Sequence, residues 1–100
     1  MLVLLAVLKL GDEAYAVPIR QVILDEAGVD LSRGTVYVAL ERLEGKGYLT
    51  SVFSEPQAVR GGKSRRYFQL KPTGMAALEA AKAAVDRLAA GTVLATRRKG

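Results

Sequence analysis

The spacing of apolar residues changes character at Gly45-Lys46-Gly47, and that change constrains the fold more than any other feature of the chain. Ahead of it, apolar residues recur at helical intervals: Leu2, Leu5 and Leu8, then Ile19, Val22, Ile23 and Leu24, then Val36, Leu40 and Leu43. Behind it, residues 48–53 are a run of β-formers. A loop with Pro56, Gly61 and Gly62 follows, and residues 65–70 form a second strand with Phe68 and Leu70 on one face. Helical spacing returns after Pro72, through Met75, Leu78, Val85 and Leu88. Within 100 residues this is one small fold, mainly α with a small β-hairpin.

Local punctuation agrees with that order. Gly11-Asp12-Glu13 reads as a turn, and Pro18 suits the first turn of the second helix, which stops at Ala27-Gly28. Ser32 is a good N-cap for the third helix. The connection from Gly28 to Leu31 has the short length of a helix-turn-helix. Gly91 closes the last helix. The reading is a winged helix-turn-helix over residues 1–71, a C-terminal dimerisation helix over 72–91 and a basic, disordered tail over 92–100. The first helix is apolar nearly all round, so it must be buried in its own domain or in a partner. Its start at Met1 without a capping residue suggests that natural residues precede it.

Composition removes most chemistry. The chain has no Cys and no His, so thiolate, imidazole and Cys-ligated metal sites are excluded. The acid pairs Asp12-Glu13 and Asp25-Glu26 lack any nucleophile or electrophile to complete a site. Gly62-Lys63-Ser64 copies the end of a phosphate-binding loop, but Gln57 stands where the first glycine is required, and a strand follows instead of a helix. The expectation is a non-enzyme with no cofactor and no metal. Lys9 interrupts the apolar Met1–Leu8 run, and no basic residue precedes it. That run is neither a secretory signal nor a membrane span, so the chain reads as cytoplasmic, with no membrane partner.

Charge points to a polyanion. Residues 1–30 hold two bases (Lys9, Arg20) against five acids, whereas residues 31–74 hold eight bases against three acids. The net charge is +5 and the pI is near 9.8.

The segment from Arg33 to Leu49, and within it Tyr37-Val38-Ala39-Leu40-Glu41-Arg42-Leu43, resembles the PadR family of bacterial transcriptional regulators. Gly61-Gly62-Lys63-Ser64-Arg65-Arg66-Tyr67-Phe68-Gln69-Leu70 with Gly74 matches that family's wing and second strand, and the likeness spans about residues 2–90. Two departures stand out. Glu13 and Ala14 replace the family's His and Gly before Tyr15. Lys71 replaces the usual Thr before Pro72, which weakens that helix start by about 1 kcal/mol unless Thr73 caps one turn later. The resemblance implies a dimer through the last helix, joined by the first.

With Val36, Leu40 and Leu43 facing the core, the exposed set on the third helix is Ser32, Arg33, Thr35, Val38, Ala39 and Arg42. Hydroxyls and Arg suit phosphate and guanine contacts, and Val38 or Ala39 suits a thymine methyl. The bland alternative is that Arg33 is solvated and Arg42 is paired to a helix glutamate. Tyr37 lies at the edge of the apolar stripe, where its ring can pack inside while its hydroxyl reaches a phosphate. The wing tip adds Arg60, Lys63, Ser64 and Arg65, with Arg66 beside them. Leu5, Leu8, Leu78, Val85 and Leu88 are the expected dimer contacts. The reading is a homodimeric regulator, a repressor of a palindromic operator in double-stranded DNA. Room is left for an unidentified small-molecule effector. The alternative is a winged-helix protein-interaction module without specific DNA binding, and salt dependence separates the two.

Overall fold

The computed structural model describes residues 1–54 and 65–94. The described residues pack helices against a two-stranded antiparallel sheet in the order α1 (Leu2–Leu10), α2 (Ala16–Val22), α3 (Arg33–Gly45), β1 (Leu49–Phe53), β2 (Arg66–Leu70) and α4 (Pro72–Ala89). Gly11–Glu13 forms a single 3-10 turn between α1 and α2, as its composition suggests.

The core is apolar and continuous. Val3, Leu4, Ala6 and Val7 of α1 meet Ile19, Val36, Leu40, Leu49, Phe68 and Leu78. Phe68 is the largest of its fully buried side chains. Its backbone N–H donates to the Ala14 carbonyl at 2.8 Å, so β2 is tied to the start of the helix-turn-helix as well as to β1. The other side of α1 carries Leu2, Leu5 and Leu8, all exposed.

Three local details differ from the sequence reading. The second helix does not run unbroken to Ala27: after Val22 it widens into a π-helical turn, Ile23–Ala27. Gly28 still ends it, at φ +70°, where a side chain would be strained. Thr73 does not cap α4. Its hydroxyl donates to the Gly47 carbonyl, tying α4 to the end of α3, and Lys71 holds the cap position without a side-chain bond. Leu78 is not part of an outward seam, because it is buried in the core of its own protomer.

α3 stops at a Schellman arrangement. The Gly47 N–H reaches the Glu44 carbonyl and the Tyr48 N–H reaches that of Leu43, with Gly47 at φ +82°. This turns the chain directly into β1. The hairpin register is Leu49 opposite Leu70 and Phe53 opposite Arg66. α4 then crosses the base of the hairpin at Gly74, where a Cβ would collide with the Tyr48 carbonyl oxygen and with Leu70 Cδ1. Only glycine permits that approach. Of the expected tail from residue 92, Thr92 lies in a bend and Val93 and Leu94 are helical.

Candidate nucleic-acid interface

The outer face of α3 is built from its N-cap. Ser32 Oγ accepts from the Thr35 N–H at 3.1 Å and donates to Thr35 Oγ1 at 2.8 Å. One of the four orphan N–H groups of the helix start is thereby satisfied. Upstream, the Arg20 guanidinium donates to the Leu31 carbonyl and lies 3.5 Å from Asp30, which fixes the turn between α2 and α3. Sequence reasoning assigned Arg20 no role.

Arg33, Thr35, Tyr37, Val38 and Arg42 are all exposed on α3, as is Ser32 at its N-cap. Ala39 is not: it is half-buried against the core. The pairing of Arg42 with a helix glutamate does not occur. Arg33 and Arg42 form no ion pair with any described residue, and Glu41 and Glu44 are both engaged by Arg66.

Arg65 and Arg66 are adjacent in sequence and opposite in role. Arg65 is exposed, and its guanidinium stacks 4.5 Å from the centroid of the Tyr15 ring. Arg66 turns to the side of β2 that holds Phe68, with its guanidinium 5.0 Å from that ring. There it donates to Glu41, to Glu44 at 2.6 Å and to Ser51 Oγ at 3.1 Å. The hydrogen bond to Glu41 holds the Arg66 pKa above its ordinary value, against the opposing effect of burial. The alternation of a strand puts Arg66 on the side of Phe68, and that signal was available in the sequence.

Between α3 and the hairpin lies an open cleft of about 490 Å³, lined by Tyr15, Val17, Tyr37, Phe53 and Arg65 among others. Tyr15 packs edge-on against Tyr67 at 5.3 Å. Tyr37 is 42 % exposed and Phe53 69 %, so both present aromatic surface to solvent. The expected contacts Arg60, Lys63 and Ser64 lie outside the described residues. The base of their loop is closed by the Ser54 N–H donating to the Arg65 carbonyl at 2.7 Å and the Arg65 N–H to Ser54 Oγ at 2.9 Å.

On the opposite side, Leu5, Leu8, Met75, Leu78 and Val85 line an apolar groove of about 480 Å³ between α1 and α4. Val85 and Leu88 are exposed on α4, Leu88 by 83 %. Among the described residues, no helix is long and apolar enough to cross a membrane.

A helix-turn-helix whose second helix shows unpaired cations, followed by a hairpin and closed by a helix across its base, defines a winged helix-turn-helix protein. The family model for the transcriptional regulator PadR-like family matches residues 4–80, and the chain belongs to that family. It is similar to transcriptional regulator Rv3488 of Mycobacterium tuberculosis, with 39 % identity over 66 residues. That match covers 66 % of this chain and 58 % of the relative, so the matched region falls short of two thirds of the relative's length. Among solved structures, a PadR-like transcription factor from Bacteroides fragilis superposes with a TM-score of 0.69 at 32 % identity, covering 88 % of this chain and 82 % of that one. A PadR family transcription regulator from Clostridium difficile R20291 gives 0.70 at 27 % identity, over 88 % and 93 %.

Proposed function

We propose that this chain is a cytoplasmic, sequence-specific DNA-binding repressor that acts as a homodimer on a palindromic operator. The observation that carries this reading is the outer face of α3. Arg33 and Arg42 stand exposed and unpaired among the described residues, while both glutamates of the same helix are drawn to the hairpin by Arg66. A helix so arranged offers cations, a hydroxyl and free N–H groups to a major groove. Arg65, with the basic residues Arg60 and Lys63 before it in the sequence, supplies cations for the adjacent phosphate backbone. The exposed apolar residues of α1 and α4 support the homodimer. Pairing two copies sets the recognition helices about 34–36 Å apart, one turn of DNA.

The test is selection from a random duplex pool followed by shift assays at two salt concentrations. The expected result is enrichment of an inverted repeat whose binding weakens steeply as salt rises, because phosphate contacts release counterions. A chain that enriches no duplex, or binds with no salt dependence, acts as a protein-contact module instead.

A further inference from the structure

The hairpin of this domain touches α3 through more than its apolar core. Arg66 reaches back across the sheet to Glu41 and Glu44, which lie three residues apart on α3 and so share one face. Ser51 on β1 completes the circuit. Its hydroxyl lies 2.9 and 3.1 Å from the two Glu44 carboxylate oxygens and accepts from Arg66 Nε. Three elements therefore meet at one guanidinium, whose side chain is only 24 % exposed. Phe53 and Phe68 hold it in place, with their rings 5.8 and 5.0 Å away.

An arginine used in this way is unavailable to a phosphate. Its five donors form a rigid planar fork, and the two carboxylates and the hydroxyl occupy that fork from the protein side. A lysine in its place keeps the charge but cannot reach three acceptors in one plane. We infer that Arg66, with Glu41, Glu44 and Ser51, is a positioning clamp that fixes the angle of the wing to the recognition helix, so that both meet one DNA duplex together. The role in DNA binding rests on the function proposed above. The clamp itself does not, and the two are tested separately.

The chain has no Cys, so introduced cysteines carry labels uniquely. Nitroxides at Val38→Cys on α3 and Val52→Cys on β1, both at exposed positions, report the helix-to-wing distance by pulsed electron resonance. The expected result is a narrow distribution in the otherwise unchanged chain, broadened by Arg66→Lys and by Glu44→Gln but not by Arg65→Lys. A distribution that stays narrow in both clamp variants overturns the clamp. The second arm is affinity for the selected duplex, measured without labels. Arg66→Lys is expected to weaken binding about tenfold, the scale of a coupled network of this size, with the log–log salt slope unchanged. Arg66→Met should then weaken it no more than Arg66→Lys and should also keep the slope. A slope lowered by about 0.9 in Arg66→Met makes Arg66 a phosphate contact and overturns the proposal. Broadened distances with unchanged affinity overturn the positioning role. If the parent chain selects no duplex, the DNA reading falls, while the distance arm still decides the clamp.

Discussion

The two faces of this domain leave different things exposed. On the α3–hairpin face, polar groups are tied down one by one: Ser32 to Thr35, Arg20 to Leu31, Arg66 to Glu41 and Glu44. What remains outward there includes the cations Arg33, Arg42 and Arg65 and the aromatics Tyr37 and Phe53, with Thr35 and Val38 beside them on α3. On the α1–α4 face, Leu2, Leu5, Leu8, Met75, Val85 and Leu88 are left outward with little polar cover. The first face has its internal structure complete and presents charge. The second leaves apolar side chains open to solvent, a feature often found at association surfaces.

The strongest way to break this comparison is to place a charge on the apolar side. Val85→Asp is expected to give a monomer, or a destabilised protein, that no longer holds a palindromic site. Each Val or Leu buried at such a seam contributes roughly 1.5–3 kcal/mol, and two-fold symmetry doubles the effect of each substitution. Light scattering at micromolar concentration measures it. A parent chain that is already monomeric, or a dimeric Val85→Asp variant with normal DNA binding, removes the assembly.

A smaller effect is expected on the polar side. Arg33→Ala or Thr35→Ala should cost roughly 1–3 kcal/mol of specific affinity wherever the residue meets a base edge. Thermal stability should barely move, since both positions are exposed and the Ser32 cap uses the Thr35 backbone, which alanine retains. Unchanged affinity in both variants would take the specificity role from α3. The mildest perturbation is the double variant Lys63→Ala and Arg65→Ala. It should weaken binding to all duplexes alike, with the salt slope falling by about 0.9 for each phosphate left without its cation. Weakening restricted to one sequence would mean that the wing reads bases.

The order of helices and strands was legible because its signals are local. The capping serine before α3 and the glycine at its end each act within a few residues. What was missed depends on distant partners. Leu78 sits on a stripe that the sequence alone offers equally to a second chain, and only the position of α1 beside α4 shows that it is interior. Arg66 looked like one more wing base because the stretch from Arg60 to Arg66 is so rich in Lys and Arg. Its acceptors are 22 and 25 residues earlier. Ala39 and Thr73 were misplaced for the same reason: burial and tertiary hydrogen bonds override what a helix period or a capping preference suggests.

Gly74 gives the two faces a mechanical relation. With no Cβ between the first turn of α4 and the Tyr48 carbonyl, and with Thr73 tied to Gly47, the helix meets the hairpin at a fulcrum with almost no clearance. Beyond it, the remaining residues of α4, from Met75 to Ala89, make an arm of about 22 Å. A tilt of about 10° at the fulcrum would carry the far end, near Leu88, through about 4 Å. In a two-fold pair, the same tilt would act on both halves at once. The separation of two DNA-reading helices would then be set at a pivot that touches no DNA, by the absence of a single carbon atom.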